Sequence, residues 1–175
     1  MVVAGEYGGR RLKAPAGLDT RPTADRVREA LFSILGSVAG LRVADLYAGS
    51  GALGIEALSR GASTAVFVES GHAAADVIEE NLAALGAAGG EVVRRDVTAW
   101  LRSAEERAFD LVFCDPPYDA AARVARQLSD LLPRVAAPQG LIVIESSKRN
   151  PLVLDLPLAD ERTYGDTRIA IHHGR

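Results

Sequence analysis

The sequence contains one cysteine and no long apolar run, and both absences restrict what the protein can be. Because Cys114 has no second cysteine to pair with, an internal disulfide is excluded. Charged residues such as Arg42 and Asp45 interrupt every apolar stretch before it reaches the roughly 18 residues that a membrane span needs. The start of the chain also lacks the basic and then apolar order of a signal peptide. We therefore expect a cytoplasmic protein without a membrane partner.

The composition is that of a folded domain with an uneven charge. Apolar residues make up 48% of the 175 and charged residues 25%, which is enough apolar surface for a single core. Residues 1–42 carry seven Arg and Lys against four Asp and Glu, whereas the remainder carries thirteen against nineteen. The basic N-terminal part either attracts a polyanion locally or is an ordinary solvated segment, and composition does not separate these alternatives.

Short β-rich apolar runs alternate with Ala- and Leu-rich stretches through most of the chain. The predicted strands are Leu41–Leu46, Ala65–Glu69, Glu91–Arg94, Leu111–Cys114, Leu141–Ile144 and Arg168–His172. The predicted helices between them are Gly54–Arg60, His72–Leu85, Thr98–Glu105 and Ala120–Leu132, the last ending at Pro133. This alternation predicts an α/β protein with a Rossmann-like, doubly wound and mostly parallel sheet that has helices on both faces.

Residues 1–40 differ from this pattern, and we expect them to form an N-terminal extension packed on a main domain of residues 41–175. A Gly-rich hairpin or arm is predicted first, followed by a segment that contains Pro15 and Pro22. Thr23 or Asp25 can then cap a helix that stops at Gly36.

The segment from Asp45 to Gly54 follows the first strand and opens a helix, which is typical of a ligand-binding turn. Read literally, Gly49-x-Gly51-x-x-Gly54 is also the dinucleotide fingerprint, with Glu69 where a ribose-binding acid belongs. An NAD-dependent oxidoreductase is therefore one hypothesis. A second hypothesis is that the loop binds S-adenosylmethionine. Asp45 favours this second hypothesis, because a carboxylate suits a cationic amino-acid ligand and repels a pyrophosphate.

Asp96 follows the third predicted strand, and its position allows two roles. Its carboxylate can accept a hydrogen bond from an adenine amino group, with Val97 packed near the ring. It can equally cap the helix that starts near Thr98.

Asp115-Pro116-Pro117-Tyr118 directly follows the fourth predicted strand, where open parallel sheets place their active sites. An amino group on a nucleic-acid base is a poor nucleophile, because its lone pair is delocalised into the ring. The Asp115 carboxylate can accept a hydrogen bond from one N–H of this amino group, and a carbonyl in the rigid Pro116–Pro117 segment can accept one from the other N–H. Tyr118 supplies a flat face for a base turned out of its stack. The tetrapeptide predicts direct methyl transfer to an exocyclic amino group.

Several motifs together resemble those of the bacterial 16S ribosomal RNA guanine-N2 methyltransferases, and the likeness spans nearly the whole chain. The matching segments are residues 8–12, the stretch of residues 21–32 that begins with Arg21-Pro22-Thr23, the Asp45 loop, Asp115–Tyr118, and residues 164–167. The stretch of residues 21–32, with its spacing to the loop, is the most specific of them. The resemblance implies the class I methyltransferase fold and S-adenosylmethionine as the cofactor.

The resemblance also implies a substrate and a set of site residues. The substrate is one guanine of 16S ribosomal RNA in the small subunit, guanine 966 in the family. Independently of the resemblance, we expect a monomer. The expected cofactor-binding residues are Asp45, Tyr47, Gly49, Ser50, Gly51, Glu69, Ser70, Asp96 and Val97. The expected catalytic residues are Asp115, Pro116, Pro117 and Tyr118. The residues expected near RNA are Arg10, Arg11, Lys13, Arg21 and Arg26, and no metal is expected.

Two alternatives to this interpretation remain besides the NAD enzyme. Asp115-Pro116-Pro117-Tyr118 serves adenine-N6 methylation of RNA or DNA equally well, although the chain has no room for the recognition domain that such DNA enzymes usually carry. The second alternative is a non-catalytic module that retains the fold and acts in RNA binding or ribosome assembly.

Overall fold

The computed structural model describes residues 1–17 and 22–174, without the side chains of Pro22, Thr23 and Tyr118. Within this part, helices and strands follow one another in the order α1 Pro22–Leu35, β1 Arg42–Leu46, α2 Ala52–Ser59, β2 Thr64–Val68, α3 His72–Leu85, β3 Gly90–Val93, α4 Val97–Ser103, β4 Phe109–Cys114, α5 Tyr118–Val135, β5 Ala136–Ser147, β6 Leu158–Tyr164 and β7 Thr167–His173. No described helix is both long and apolar enough to cross a bilayer.

The strands form one sheet in the order β3-β2-β1-β4-β5-β7-β6. From β3 to β5 neighbouring strands are parallel, whereas β7 is antiparallel to both β5 and β6. The prediction of a mostly parallel, doubly wound α/β sheet is thereby confirmed. The carboxyl ends of five neighbouring parallel strands consequently meet at one edge of the sheet.

The predicted boundary between α5 and β5 was wrong, and one strand was not predicted. Helix α5 continues through Pro133 to Val135, because a proline in the last turn sacrifices only one backbone hydrogen bond. Strand β5 then starts directly at Ala136 instead of Leu141. The sequence pattern did not indicate β6, whose residues are mostly exposed and charged and therefore lack apolar alternation; such residues are common on edge strands.

Side chains alternate between the two faces of the sheet and fill a separate apolar core on each. One core contains Val43, Phe113 and Val143 together with Leu31 of α1 and Ile55 of α2. The other contains the intervening residues Leu46, Val112, Cys114 and Ile144 together with Leu101 of α4 and Leu128 of α5. Asp45 lies two residues after Val43, and Glu145 lies two residues after Val143. Both acids are therefore on the face of the sheet that α1 and α2 cover.

The N-terminal segment is held against α2 by a buried carboxylate. Glu56 is fully buried and accepts the backbone N–H groups of Val3 and Ala4 at 2.8 and 3.0 Å. Arg28 and Arg60 pair with the same carboxylate at 3.3 and 2.8 Å. Removing one partner of a buried charge commonly costs about 3–5 kcal/mol, so this cluster joins the start of the chain firmly to the sheet domain.

Candidate active site

A cavity of about 1150 Å³ lies at the carboxyl edge of the parallel strands. Among the residues expected at the site, those that line it are Asp45, Tyr47, Gly49, Ser50, Glu69, Ser70, Asp96, Asp115, Pro116 and Pro117. Two others are buried behind the lining: Gly51 lies against Ile78 and Phe67, and Val97 lies in the apolar core beside Leu101. The side chain of Tyr118 is outside the described part of the chain.

The loop after β1 depends on glycine at specific positions. Gly49 and Gly51 have φ angles of 59° and 77°, in the left-handed region that glycine adopts without strain. A Cβ on Gly54 would lie 2.4 Å from the ring of Phe67, so α2 can approach β2 only with glycine there. The backbone N–H of Gly54 donates to Asp45 Oδ2 at 2.9 Å, which joins the strand to the start of the helix.

Glu69 connects the loops that follow β1 and β2. One carboxylate oxygen accepts the N–H of Gly49 at 2.9 Å, and the other accepts the N–H of Gly71 at 2.8 Å. A carboxylate has about four lone-pair sites, so two of them are left for a ligand in the cavity.

Asp96 both caps a helix and lines the cavity. Its Oδ1 accepts from the Thr98 hydroxyl at 2.7 Å and from the Ala99 N–H at 2.9 Å. These hydrogen bonds lower the pKa of Asp96, which therefore stays ionised. The two roles that the sequence left open are compatible, because the cap occupies only one of the two carboxylate oxygens.

Three further carboxyl groups make the interior of the cavity acidic. Burial raises the pKa of Asp45 to about 7, and the charges of Glu145 and Glu69 add to the effect. Asp115 is open to solvent through the cavity but enclosed by protein otherwise; burial, with Glu145 and Asp45 nearby, raises its pKa well above the ordinary value. Burial also raises the pKa of Glu145, an effect that Arg28 opposes. Such a site favours a cation and disfavours an anion.

Sequence reasoning missed Glu145 and Arg28, both of which line the cavity. Glu145 had a recognisable signal, because it is the first charged residue after the predicted strand Leu141–Ile144. Arg28 had a weaker one: it shares the inward face of α1 with Val27 and Leu31 and is only 6% exposed. Its guanidinium contacts Asp25 at 2.7 Å, Glu56, and the carbonyl of Met1.

The basic residues expected near RNA lie outside this lining. Arg10 donates to the carbonyl of Ala84 at 2.9 Å, and Lys13 pairs with Glu80 at 2.6 Å, so both contact α3. Arg11 and Arg26 are exposed. Arg21 falls outside the described residues.

Besides the buried Arg28, a second basic residue that sequence reasoning missed lines the cavity, the exposed Arg123 on the first turns of α5. Within residues 1–17 and 22–174, no group of three His, Cys, Asp or Glu side chains is arranged to bind a metal ion.

Comparison with known proteins gives one family match and closely related chains. A family model described as "Conserved hypothetical protein 95" matches residues 1–173. The Bacillus subtilis (strain 168) protein YlbH, named as a candidate rRNA methyltransferase, is 39% identical over 186 aligned residues, covering 99% of this chain and 98% of the relative. The ribosomal RNA small subunit methyltransferase D of Escherichia coli (strain K12) is 36% identical over 154 residues, covering 86% of this chain and 76% of the relative.

A solved structure agrees with these matches. The Escherichia coli protein yhhF, whose structure is described as that of a candidate methyltransferase, superposes with a TM-score of 0.82 at 32% identity. The match covers 99% of this chain and 97% of that one. The fold is that of the class I S-adenosylmethionine-dependent methyltransferases.

Proposed function

Because this chain belongs to the family of ribosomal RNA small subunit methyltransferase D, we propose that it methylates the N2 amino group of a guanine in 16S ribosomal RNA, with S-adenosylmethionine as the methyl donor. Guanine 966 is the proposed position. The observation that carries the proposal is the single cavity that Asp45, Glu69 and Asp96 share with Asp115, Pro116 and Pro117. A cofactor-binding loop and an amino-group acceptor therefore open into the same space.

The cavity suits S-adenosylmethionine better than a dinucleotide. Its volume of about 1150 Å³ exceeds the usual range of small-molecule sites, which leaves room for a cofactor and a base. The buried carboxyl of Asp45 and its neighbours Glu69 and Glu145 favour the sulfonium and ammonium charges of this cofactor. The pyrophosphate of NAD would be repelled by the same groups. The methyltransferase family match also argues against the oxidoreductase hypothesis.

We assign the cofactor contacts by position along the sheet edge. Glu69 is proposed to accept hydrogen bonds from the ribose hydroxyls through the lone pairs that Gly49 and Gly71 leave free. Asp96 is proposed to accept a hydrogen bond from the adenine amino group through the oxygen that its helix cap does not use. The further proposed contacts come from Asp45, Tyr47, Gly49, Ser50 and Ser70, which line the cavity. Gly51 and Val97 are proposed to form the wall behind them.

Asp115 is proposed to bind the amino group that becomes methylated. By accepting one N–H, the carboxylate draws the nitrogen lone pair out of the base ring, and a carbonyl of the Pro116–Pro117 segment accepts the other N–H. When bound, S-adenosylmethionine supplies a methyl group on a cationic sulfur, open to direct attack by that nitrogen. Burial and the neighbouring acids raise the pKa of Asp115, and a cation bound in the cavity would oppose that rise by favouring the carboxylate. The stacking role of Tyr118 rests on the sequence alone.

The RNA side of the proposal concerns residues 1–40, taken as an arm on a methyltransferase domain of residues 41–175. The proposed RNA contacts are Arg10, Arg11, Lys13, Arg21 and Arg26. Arg11 and Arg26 support this best, because both are exposed, whereas Arg10 and Lys13 also contact Ala84 and Glu80 of α3. A cytoplasmic monomer that acts on the small subunit is part of the same proposal.

Transfer of labelled methyl groups tests the proposal directly. Small subunits from cells that lack the gene are incubated with the protein and labelled S-adenosylmethionine. One part of the RNA is digested to nucleosides to identify the methylated base, and another part to oligonucleotides to locate it, both by mass analysis. We expect N2-methylguanosine at one position and no label with Asp115→Ala. Label in N6-methyladenosine would favour the adenine alternative, and no transfer at all would favour the non-catalytic module.

A further inference from the structure

Acidic side chains follow the sheet edge in a definite order. Moving across the parallel strands from β3 to β5, they are Asp96, Glu69, Asp45, Asp115 and Glu145. The first three lie on the side of the cofactor loop. Glu145 lies on the opposite side of Asp115 from them, next to the residue proposed to bind the target amino group.

Glu145 and Asp115 hold equivalent positions on neighbouring strands. Cys114 of β4 pairs with Ile144 of β5 in parallel register, and the two acids are the next residues along. Neighbouring strands are about 4.8 Å apart, so the two carboxyl groups leave the sheet side by side. Both line the cavity, and the charge of Glu145 helps raise the pKa of Asp115.

The two acids also differ from the cofactor-side acids in their hydrogen bonding. Asp45, Glu69 and Asp96 each accept a backbone N–H group. Among the described residues, none donates a hydrogen bond to the carboxyl group of Glu145 or of Asp115. Their oxygens are therefore free for donors on a molecule in the cavity.

Guanine presents donors that match two adjacent acceptors. Its N2 amino group and its N1–H point in the same direction along one edge of the ring, whereas adenine carries an unprotonated N1. We propose, on the basis of the function proposed above, that Glu145 accepts the N1–H of the target guanine while Asp115 accepts an N2–H. Glu145 then determines specificity, because the N1 lone pair of an adenine would face a carboxylate.

The test uses 2-aminopurine, which keeps the 2-amino group but lacks N1–H and O6. Small subunits are reconstituted with 16S RNA ligated to carry guanine or 2-aminopurine at the methylated position. The readout is the ratio of kcat/KM for the two bases, which general damage to the enzyme does not move. In Glu145→Gln the side-chain amide can donate to the bare N1 of 2-aminopurine, so we expect the preference for guanine to fall at least tenfold.

Controls separate this inference from folding and from the proposed function. Glu145→Gln is isosteric and removes a charge from an acidic cavity, so its melting temperature should match or exceed that of the parent. Its affinity for S-adenosylhomocysteine is measured separately, because Glu145 also attracts the ammonium group of the cofactor; a change in that affinity acts on both bases equally and cancels in the ratio. Glu91→Gln, the same change at an exposed position on β3, should leave the base preference unaltered. An unchanged preference in Glu145→Gln, with the parent active on guanine, overturns the role of Glu145. A parent that does not methylate guanine overturns the proposed function itself.

Discussion

The buried side chain of Asn81 holds the backbone of Lys13 at both of its polar groups. Asn81 Oδ1 accepts the N–H of Lys13 at 2.8 Å, and Nδ2 donates to the carbonyl of Lys13 at 3.0 Å. The same Nδ2 donates to the carbonyl of Ser50 at 3.2 Å. One side chain on α3 therefore joins the N-terminal segment to the loop proposed to bind the cofactor.

Replacement of Asn81 by Ala should destabilise the protein and weaken cofactor binding together. The change leaves partly buried backbone groups of Lys13 and Ser50 without their side-chain partner, and an unsatisfied group costs roughly 1–3 kcal/mol when it is fully buried and less when water reaches it. Denaturant unfolding and calorimetry with S-adenosylhomocysteine measure the two effects. Glu80→Ala, which removes only the exposed ion pair with Lys13, should change stability by less than about 1 kcal/mol. Equal effects of the two variants would contradict the role of Asn81.

Asp115→Ala should nearly abolish methyl transfer and leave cofactor affinity close to that of the parent. The carboxylate is proposed to act on the amino group, and loss of one positioned catalytic hydrogen-bonding group commonly costs on the order of a hundredfold or more in rate. Single-turnover transfer to small subunits measures the rate, and calorimetry measures the affinity. Activity within threefold of the parent would exclude the proposed mechanism.

Glu69→Ala should weaken binding of S-adenosylmethionine by roughly 1.5–3 kcal/mol, the range for a hydrogen bond to a charged group. Two effects contribute: the ribose loses its proposed acceptor, and the N–H groups of Gly49 and Gly71 lose theirs. Calorimetry of the variant measures the total loss of affinity for S-adenosylmethionine. Comparison with adenosine analogues that lack ribose hydroxyls separates the two, since the parent should lose affinity for such analogues and the variant should not. Unchanged affinity for the intact cofactor would remove Glu69 from the site.

The stability of the ligand-free protein should fall as pH rises from about 4 to about 7 because of Asp45. Burial raises the folded-state pKa of Asp45 to about 7, above its value in the unfolded chain, so folding favours the protonated form. This stabilisation is complete below the unfolded pKa and is lost as pH rises through the folded pKa. Melting temperatures of the parent and of Asp45→Asn across this pH range measure how much of the pH dependence of stability comes from Asp45.

A cationic ligand should reverse that loss. Bound S-adenosylmethionine favours ionised Asp45, so its affinity for the parent should rise with pH over the same window and change less in Asp45→Asn. Parallel pH curves for the two proteins, in melting temperature and in affinity, would contradict this account.

Arg11→Ala and Arg26→Ala should each weaken binding to small subunits and flatten its salt dependence. Removing one interaction between an arginine and a phosphate lowers the log-log salt slope by nearly one unit. These two residues are cleaner tests than Arg10 and Lys13, which also contact Ala84 and Glu80 of the protein itself. Binding measured from low to moderate salt gives the slope. Slopes equal to that of the parent would show that the N-terminal arm does not touch RNA phosphates at these positions.

The sequence by itself determined the mostly parallel sheet and the positions of Asp115 and of the loop proposed to bind the cofactor. These features are local: glycines after a strand, or an acid after a strand, are recognisable within a few residues. Parallel strands place their carboxyl ends at one edge, so residues that follow different strands converge there. The roles of Asp45, Glu69 and Asp96 could therefore be proposed before any contact was known.

Only the tertiary structure decided which distant residues join that site. Glu145 lies beside Asp115 because β5 pairs with β4 in a particular register, and Arg28 reaches the cavity because α1 packs across one face of the sheet. Asn81 meets Lys13 and Ser50 only when α3, the arm and the loop are assembled. Such contacts depend on pairing and packing between segments far apart in the chain, and no periodicity within either segment encodes them.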